Sequence, residues 1–206
     1  MTFVYIMGCH GCGKSSTIDL IKLNHPTTKM LDLDLNPKLQ DNNPCAANQH
    51  IRHSDYFDNL TAELNKLPEQ IILIDRAPIS LNIYDESFKE LGIVSEGALN
   101  RLRKDWRDRL ERFNEALLCS KHESFGFFLD VPVEVIKENI IERARDDNFN
   151  EQDWAYLEMI HKMYQERVSE VEDFYWLNWD PALSKEDNYD EFKKIIEDTI
   201  KERVNG

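Results

Sequence analysis

Thr2-Phe3-Val4-Tyr5-Ile6-Met7-Gly8-Cys9-His10-Gly11-Cys12-Gly13-Lys14-Ser15 opens the chain, and its reading decides the rest. Thr2–Met7 is a run of strand-forming residues that stops at a glycine. Ser15–Leu23 then carries Ile18, Leu20, Ile21 and Leu23 and ends before Pro26, the pattern of a helix. Between strand and helix stands G-x-x-x-x-G-K-[ST]. At average residue usage that pattern arises by chance about once in a hundred chains of this length. The chain holds only seven glycines, yet Gly8, Gly11 and Gly13 fall together in this one turn.

The pattern has a physical purpose. Glycines let the backbone turn so that successive amide N–H groups face inward toward phosphate oxygens. The first turn of the following helix adds unpaired N–H groups and a partial positive charge. Gly8, His10, Gly11, Cys12, Gly13, Lys14, Ser15 and Ser16 are the residues of this cradle. Lys14 is placed to reach the β- and γ-phosphates of ATP, and the Ser15 hydroxyl to hold Mg²⁺. Cys9 and Cys12 form a C-x-x-C around His10, but the second ligand pair of a zinc site is missing and Cys45 and Cys119 are isolated. These residues read as occupants of variable loop positions.

Outward from the turn, strands and helices alternate. Lys29–Leu35 interleaves Met30, Leu31, Leu33 and Leu35 with Asp32 and Asp34, a second strand closed by Pro37. Residues 36–50, rich in Asn and Pro, read as a loop, and a helix is expected over about 53–66. Ile71–Ile74 suits a central parallel strand buried on both faces. Leu99, Leu102, Trp106, Leu110, Phe113 and Leu117 define a long amphipathic helix over 96–119. A strand follows at Phe125–Leu129. Helices are expected around Ile136 and Ile140 and from Trp154 to Val171. A last strand at Phe174–Trp179 precedes a terminal helix bearing Phe192, Ile196 and Ile200. The alternation predicts an α/β fold of three layers, a central parallel β-sheet flanked by helices, as one domain over 1–206.

Twenty-five basic residues against 39 acidic ones give a net charge of −14. A broad grip on nucleic acid needs the opposite balance, so no nucleic-acid partner is expected. No apolar run approaches the roughly 20 residues of a membrane helix, and Phe3–Met7 is too short for a signal peptide. The expectation is a cytoplasmic protein with reduced thiols and no membrane partner.

Three further groups bear on chemistry. Asp75-Arg76 follows the buried strand, where an acid beside the phosphate loop is placed for Mg²⁺, directly or through water. Arg76 can make a two-pronged contact with an acceptor, or with a carboxylate that positions one. An acceptor hydroxyl needs a carboxylate to orient it and take its proton. Asp32 and Asp34 are the candidates, with Asp34 nearer the strand's carboxyl end. Arg143 and Arg145 end a helix before a polar stretch and are placed to close over the transferring phosphoryl group, in a lid region of about 139–153.

Together, the phosphate loop, Asp75-Arg76 and Glu142-Arg143-Ala144-Arg145 before Tyr156-Leu157-Glu158…His161 resemble the deoxynucleoside kinase and thymidylate kinase family of P-loop kinases. The resemblance implies a P-loop NTPase fold with a helical lid. It also implies ATP- and Mg²⁺-dependent phosphoryl transfer to a nucleoside or nucleoside monophosphate. By the same implication Lys14 and Ser15 serve ATP and Mg²⁺, Asp75 positions the metal, Arg76 lies beside the acceptor, and Arg143 and Arg145 are lid arginines. Two departures stand out. Asn36-Pro37 replaces the usual glutamate–proline pair, and Asn139 and Ile141 stand where some relatives carry more lid arginines. A kinase of another small metabolite, or a nucleotide-sensing module without catalysis, are the rival readings. Tyr56, Phe57, Tyr84, Phe88 and Trp106 are candidates to line an acceptor pocket, and Arg52, Arg101, Arg103 and Arg107 to meet an acceptor phosphate. Relatives are often homodimers through long helices; the 96–119 helix suits that role, and its apolar stripe suits the core equally.

Overall fold

The structure, a computed structural model, describes residues 2–24, 29–32, 45–64, 71–120, 122–143, 153–169, 171 and 173–205, with backbone alone at 24, 29–32, 143, 204 and 205. In chain order the elements are β1 (Thr2–Met7), α1 (Lys14–Asn24), β2 (Lys29–Asp32), α2 (Ala46–Leu64), β3 (Ile71–Asp75) and α3 (Pro78–Glu90). They continue with α4 (Glu96–Cys119), β4 (Glu123–Asp130), α5 (Val133–Arg143), α6 (Trp154–Val168), β5 (Phe174–Asn178) and α7 (Lys185–Asn205). The strands form one parallel sheet in the order β2-β3-β1-β4-β5. Strand β1 therefore has β3 on one side and β4 on the other. The chain leaves it for the sheet edge and returns past it, so the crevice beyond its carboxyl end is where ligands bind in such sheets.

Strand periodicity assigns the two faces. The register pairs Phe3 with Ser124 and Met7 with Phe128, so Phe3, Met7 and Phe128 share one face. Phe3 meets Phe113 of α4 edge-on, and Phe128 stacks on Tyr164 of α6. On the other face Phe125 and Phe127 pack against Tyr175, with Arg203 of α7 over Phe125. Helices α1 and α7 pack together, while α4 rests on α2 and α3 and α6 rests on α3. The result is the expected three-layer α/β arrangement, with Phe3, Phe125, Phe127, Phe128, Tyr164 and Phe192 among the largest fully buried side chains.

Local signals explain most boundaries. Pro78 sits in the first turn of α3, where its missing N–H is harmless. Ser95 and Asp153 cap α4 and α6 by accepting hydrogen bonds from the Ala98 and Tyr156 amides. One expectation fails: α2 begins at Ala46 rather than near residue 53, taking in part of the supposed loop. Its buried stripe runs Gln49, His53, Tyr56, Phe57, Leu60, Glu63 and Leu64. Three of those are polar, so the helical period is present but not as an apolar pattern. His53 and Asp85 of α3 are fully buried and pair at 2.9 Å. The helix read through Val171 ends instead at Val168, and the last strand ends at Asn178, before Trp179.

The stripe of α4 is core: Leu99, Leu102, Phe113 and Leu117 are buried, while Arg101, Lys104, Arg107, Asp108 and Glu111 face outward. That helix therefore spends its apolar stripe on the core and presents a mainly charged outer surface, with Leu118 exposed near its end. Among the described residues no helix is long and apolar enough to cross a membrane.

Gly126 marks the closest approach within the sheet. A Cβ there would collide with the ring of Phe174 on the neighbouring strand. Gly126→Ala is expected to destabilise the protein by about 1–3 kcal/mol, the usual cost of overpacking. An unchanged urea midpoint would show that the strands have room to part.

Candidate active site

The turn after β1 has the backbone that its glycines promised. Gly8, Gly11 and Gly13 have φ of +150°, +77° and +90°, the last two in the left-handed region that costs a side chain dearly. A Cβ on Gly13 would also meet the ring of Tyr189 from α7 at 2.5 Å. Inside the turn, the Lys14 ammonium donates to the Gly8 and Cys9 carbonyls, each at 2.9 Å, and only 5% of Lys14 is exposed. Ser15 and Ser16 are exposed at the start of α1, and the Ser15 hydroxyl donates to Asp75 Oδ2 at 3.2 Å. The other oxygen of that carboxylate, Oδ1, is buried without a hydrogen-bond partner among the described residues.

Arg76 ends β3 in an unusual way. Its φ is +75°, in the left-handed region where a β-carbon is strained. The conformation is held from both sides: its N–H donates to the Ile6 carbonyl at 2.8 Å, and its carbonyl accepts the Tyr56 hydroxyl at 3.0 Å. The guanidinium lies 5.0 Å from the centre of the Tyr84 ring, which in turn packs on His10 of the turn after β1 and on Tyr164. One row of side chains thus connects the end of β3 to the turn after β1. Burial pushes the phenols of Tyr84, Tyr156 and Tyr164 upward, Tyr156 to about 12, against the pull of Arg76. They are neutral hydroxyls at physiological pH, able to donate.

Other expected residues are placed less completely. Asp32 is opposite Asp75 in the β2–β3 register, at the carboxyl end of the edge strand, with β3 between it and the strand that leads into the turn. Asp34, Asn36-Pro37 and Arg145 lie outside the described residues, as does most of the lid region. Arg143 is the last residue of α5. Of the aromatic candidates, Tyr56 and Tyr84 reach Arg76. Phe57 packs on Phe113 in the core, Phe88 is buried, and Trp106 donates its ring N–H to the Pro78 carbonyl at 2.8 Å.

The arginine candidates separate similarly. Arg103 is bound to Glu86, which Arg167 also grips with both carboxylate oxygens. Burial alone would raise the Glu86 carboxyl, but those two guanidinium partners leave it below its ordinary value. Arg101 and Arg107 are exposed on α4, and Arg52 is half-buried on α2. Cys9 and Cys12 are buried; burial raises both thiols, Cys9 to about 12, so they are neutral and poor nucleophiles.

The sequence marks Asn139 only as a departure from the lid-arginine pattern and does not single out Tyr189 at all. Asn139 of α5 donates to the Gly11 carbonyl at 2.7 Å and to the Tyr189 hydroxyl at 2.9 Å. These partners are 128 and 50 positions away in sequence, and nothing in local periodicity marks such contacts.

With this geometry in place, known structures supply the comparison. The chain aligns with deoxyadenosine kinase from M. mycoides bound to the products dCMP and dCDP. The alignment has 17% identity and a TM-score of 0.64, covering 96% of this chain and 99% of that one. The same enzyme with bound dATP aligns at 16% identity and a TM-score of 0.61, and with bound dCTP at 15% and 0.56. Both alignments cover 95% of this chain and 99% of theirs. The chain has the deoxynucleoside kinase fold. No protein-family model and no curated protein sequence matches it. The likeness therefore lies in the fold, at 15–17% sequence identity.

Proposed function

We propose that this chain is a kinase that moves the γ-phosphoryl group of ATP, with Mg²⁺, to a (deoxy)nucleoside or a nucleoside monophosphate. One observation carries the reading. The glycine turn after β1, with Lys14 inside it and Ser15 at its helix, stands beside Asp75-Arg76 at the end of β3. Phosphoryl transfer asks mainly for positioning and charge stabilisation, and this arrangement provides donor and acceptor sides in adjacent loops. The relatives in fold bind deoxynucleotides, which supports a nucleoside acceptor.

Ser15 and Asp75 fit Mg²⁺. The ion prefers oxygen ligands and commonly takes one or two carboxylates, leaving the rest of its shell to phosphates and water. A hydroxyl and a carboxylate stand together here, with one carboxylate oxygen buried and unpartnered among the described residues. When bound, the ion would neutralise charge on the β- and γ-phosphates. Lys14 holds the triphosphate, Arg76 orients the acceptor side, and Asp34 or Asp32 takes the hydroxyl proton. Arg143 and Arg145 cover the phosphates from the lid.

The direct test is ATP consumption across a panel of deoxynucleosides, nucleoside monophosphates and unrelated hydroxyl metabolites. Turnover confined to unrelated metabolites refutes the proposed acceptor. Tight ATP binding with no transfer to any acceptor refutes the enzymatic reading. Asp34→Asn is expected to lower kcat by about a hundredfold or more with ATP affinity unchanged. A larger loss in Asp32→Asn reassigns the base to Asp32.

A further inference from the structure

We infer that Asn139 and Tyr189 are positioning residues that hold the Gly11–Cys12 peptide of the turn in the orientation a triphosphate needs. The inference rests on the ATP-binding role proposed above and adds two residues from distant helices to that site. A peptide unit is planar and trans, so its carbonyl and its N–H point in opposite directions. Asn139 Nδ2 grips the Gly11 carbonyl at 2.7 Å from the α5 side. The N–H of the same peptide, on Cys12, is thereby turned to the inside of the loop, where it reaches the Cys9 carbonyl at a long 3.3 Å. Lys14 donates to that same carbonyl. A weak internal bond of this kind is readily exchanged for a phosphate oxygen, provided that the peptide does not rotate.

Three features oppose rotation. Asn139 is 9% exposed, so water competes little for its amide. The Tyr189 hydroxyl accepts from the same amide nitrogen at 2.9 Å and fixes its rotamer. The Tyr189 ring lies over Gly13, close enough that a Cβ there would strike it at 2.5 Å. Around Gly11 the walls are equally close: a Cβ would meet Ile140 at 2.8 Å and the Ile136 carbonyl at 3.0 Å. Helices α5 and α7 therefore clamp the turn from outside, and Asn139 is the polar contact that both helices share with it.

The test is the Kd for Mg·ATP by calorimetry, with the acceptor KM and the melting temperature measured on the same variants. Asn139→Ala is expected to weaken ATP about tenfold, the worth of a buried hydrogen bond with its carbonyl left unpaired. Tyr189→Phe keeps the ring and loses only the hydroxyl, and is expected to weaken ATP about threefold. Because the two act through one amide, the double variant should bind no worse than about tenfold below wild type. The acceptor KM should stay within about twofold throughout, which a general loosening of the fold would not allow. ATP affinity unchanged in Asn139→Ala, or ATP and acceptor weakened together, overturns the inference. Should Asn139→Ala fail to fold, Tyr189→Phe decides alone: unchanged ATP affinity overturns the inference, and the threefold loss supports it. A wild-type chain that binds no nucleoside triphosphate overturns the proposed function itself, a result separate from a variant that binds as well as wild type.

Discussion

Lys14→Ala is expected to lower kcat/KM by about a thousandfold or more while the far-ultraviolet circular dichroism stays native. Lys14 is 5% exposed and its ammonium donates to two carbonyls of the turn at 2.9 Å, so it is already inside the space that phosphates would enter. An incoming triphosphate offers it anionic oxygens in place of neutral carbonyls, and charge-assisted bonds are roughly twice as strong as neutral ones. The charge that develops in transfer is largest on the phosphoryl group, so the loss should appear in kcat as well as in KM. Removing the side chain frees the Gly8 and Cys9 carbonyls, which water entering the vacated turn can satisfy. The stability cost should stay near about 1 kcal/mol. Lys14→Arg is expected to be nearly as inactive, since a planar fork does not fit a space sized for one ammonium between two carbonyls. Full turnover in Lys14→Ala would refute the role given to this turn.

The reason so much of the fold is legible lies in where apolar residues are continuous. Ile71–Ile74 has no alternative to burial on both faces, and β3 indeed lies between β1 and β2. Leu99, Leu102, Phe113 and Leu117 mark α4 because the residues it buries fully are all apolar. Helix α2 was cut short for the converse reason. In the missed first turns the buried residue is Gln49, a polar one, and the next, His53, is buried through Asp85, which belongs to another helix. Polar burial depends on pairing, and pairing between distant segments leaves no periodic trace in one sequence.

The candidate site divides along the same line. Gly8, Gly11, Gly13, Lys14 and Ser15 fall within eight positions, and the turn they form follows from backbone conformation that local sequence controls. Asp75 and Arg76 are legible as the end of a buried strand, and the parallel register does bring Asp75 to Ser15. Tyr189, Asn139 and Tyr84 are different. Each enters the site by the packing of a helix against the turn, at a position whose neighbours in sequence face elsewhere. Tyr84 was read by location alone, and it is the ring that joins Arg76 to His10. What Asn139 does required the α5 and α7 contacts to be seen together.

Arg76 offers a sharper test than most site residues, because its backbone and its side chain can be separated. With φ at +75°, an L-residue here carries strain of roughly 1–2 kcal/mol, which glycine relieves. Against that, glycine costs about 0.5–1 kcal/mol through the entropy of the unfolded chain. Loss of the guanidinium over Tyr84 removes about 0.5–2 kcal/mol more. Arg76→Gly is therefore expected to fall within about 1 kcal/mol of wild type in urea unfolding. Arg76→Ala, which keeps the strain and loses the ring contact, should be the less stable of the two by about 1 kcal/mol. Both are expected to lose at least about a hundredfold in kcat/KM, because neither supplies a two-pronged donor to the acceptor side. Equal stability of the glycine and alanine variants would show that the turn relaxes and carries no strain. Wild-type turnover in Arg76→Gly would make the arginine a packing residue over Tyr84 and move acceptor binding away from the end of β3. The predicted outcome, a variant as stable as wild type yet inactive, is what distinguishes strain maintained for chemistry from strain tolerated by accident. The backbone hydrogen bonds to Ile6 on one side and Tyr56 on the other hold this conformation in place, and the pair of variants tells whether the side chain it carries serves turnover.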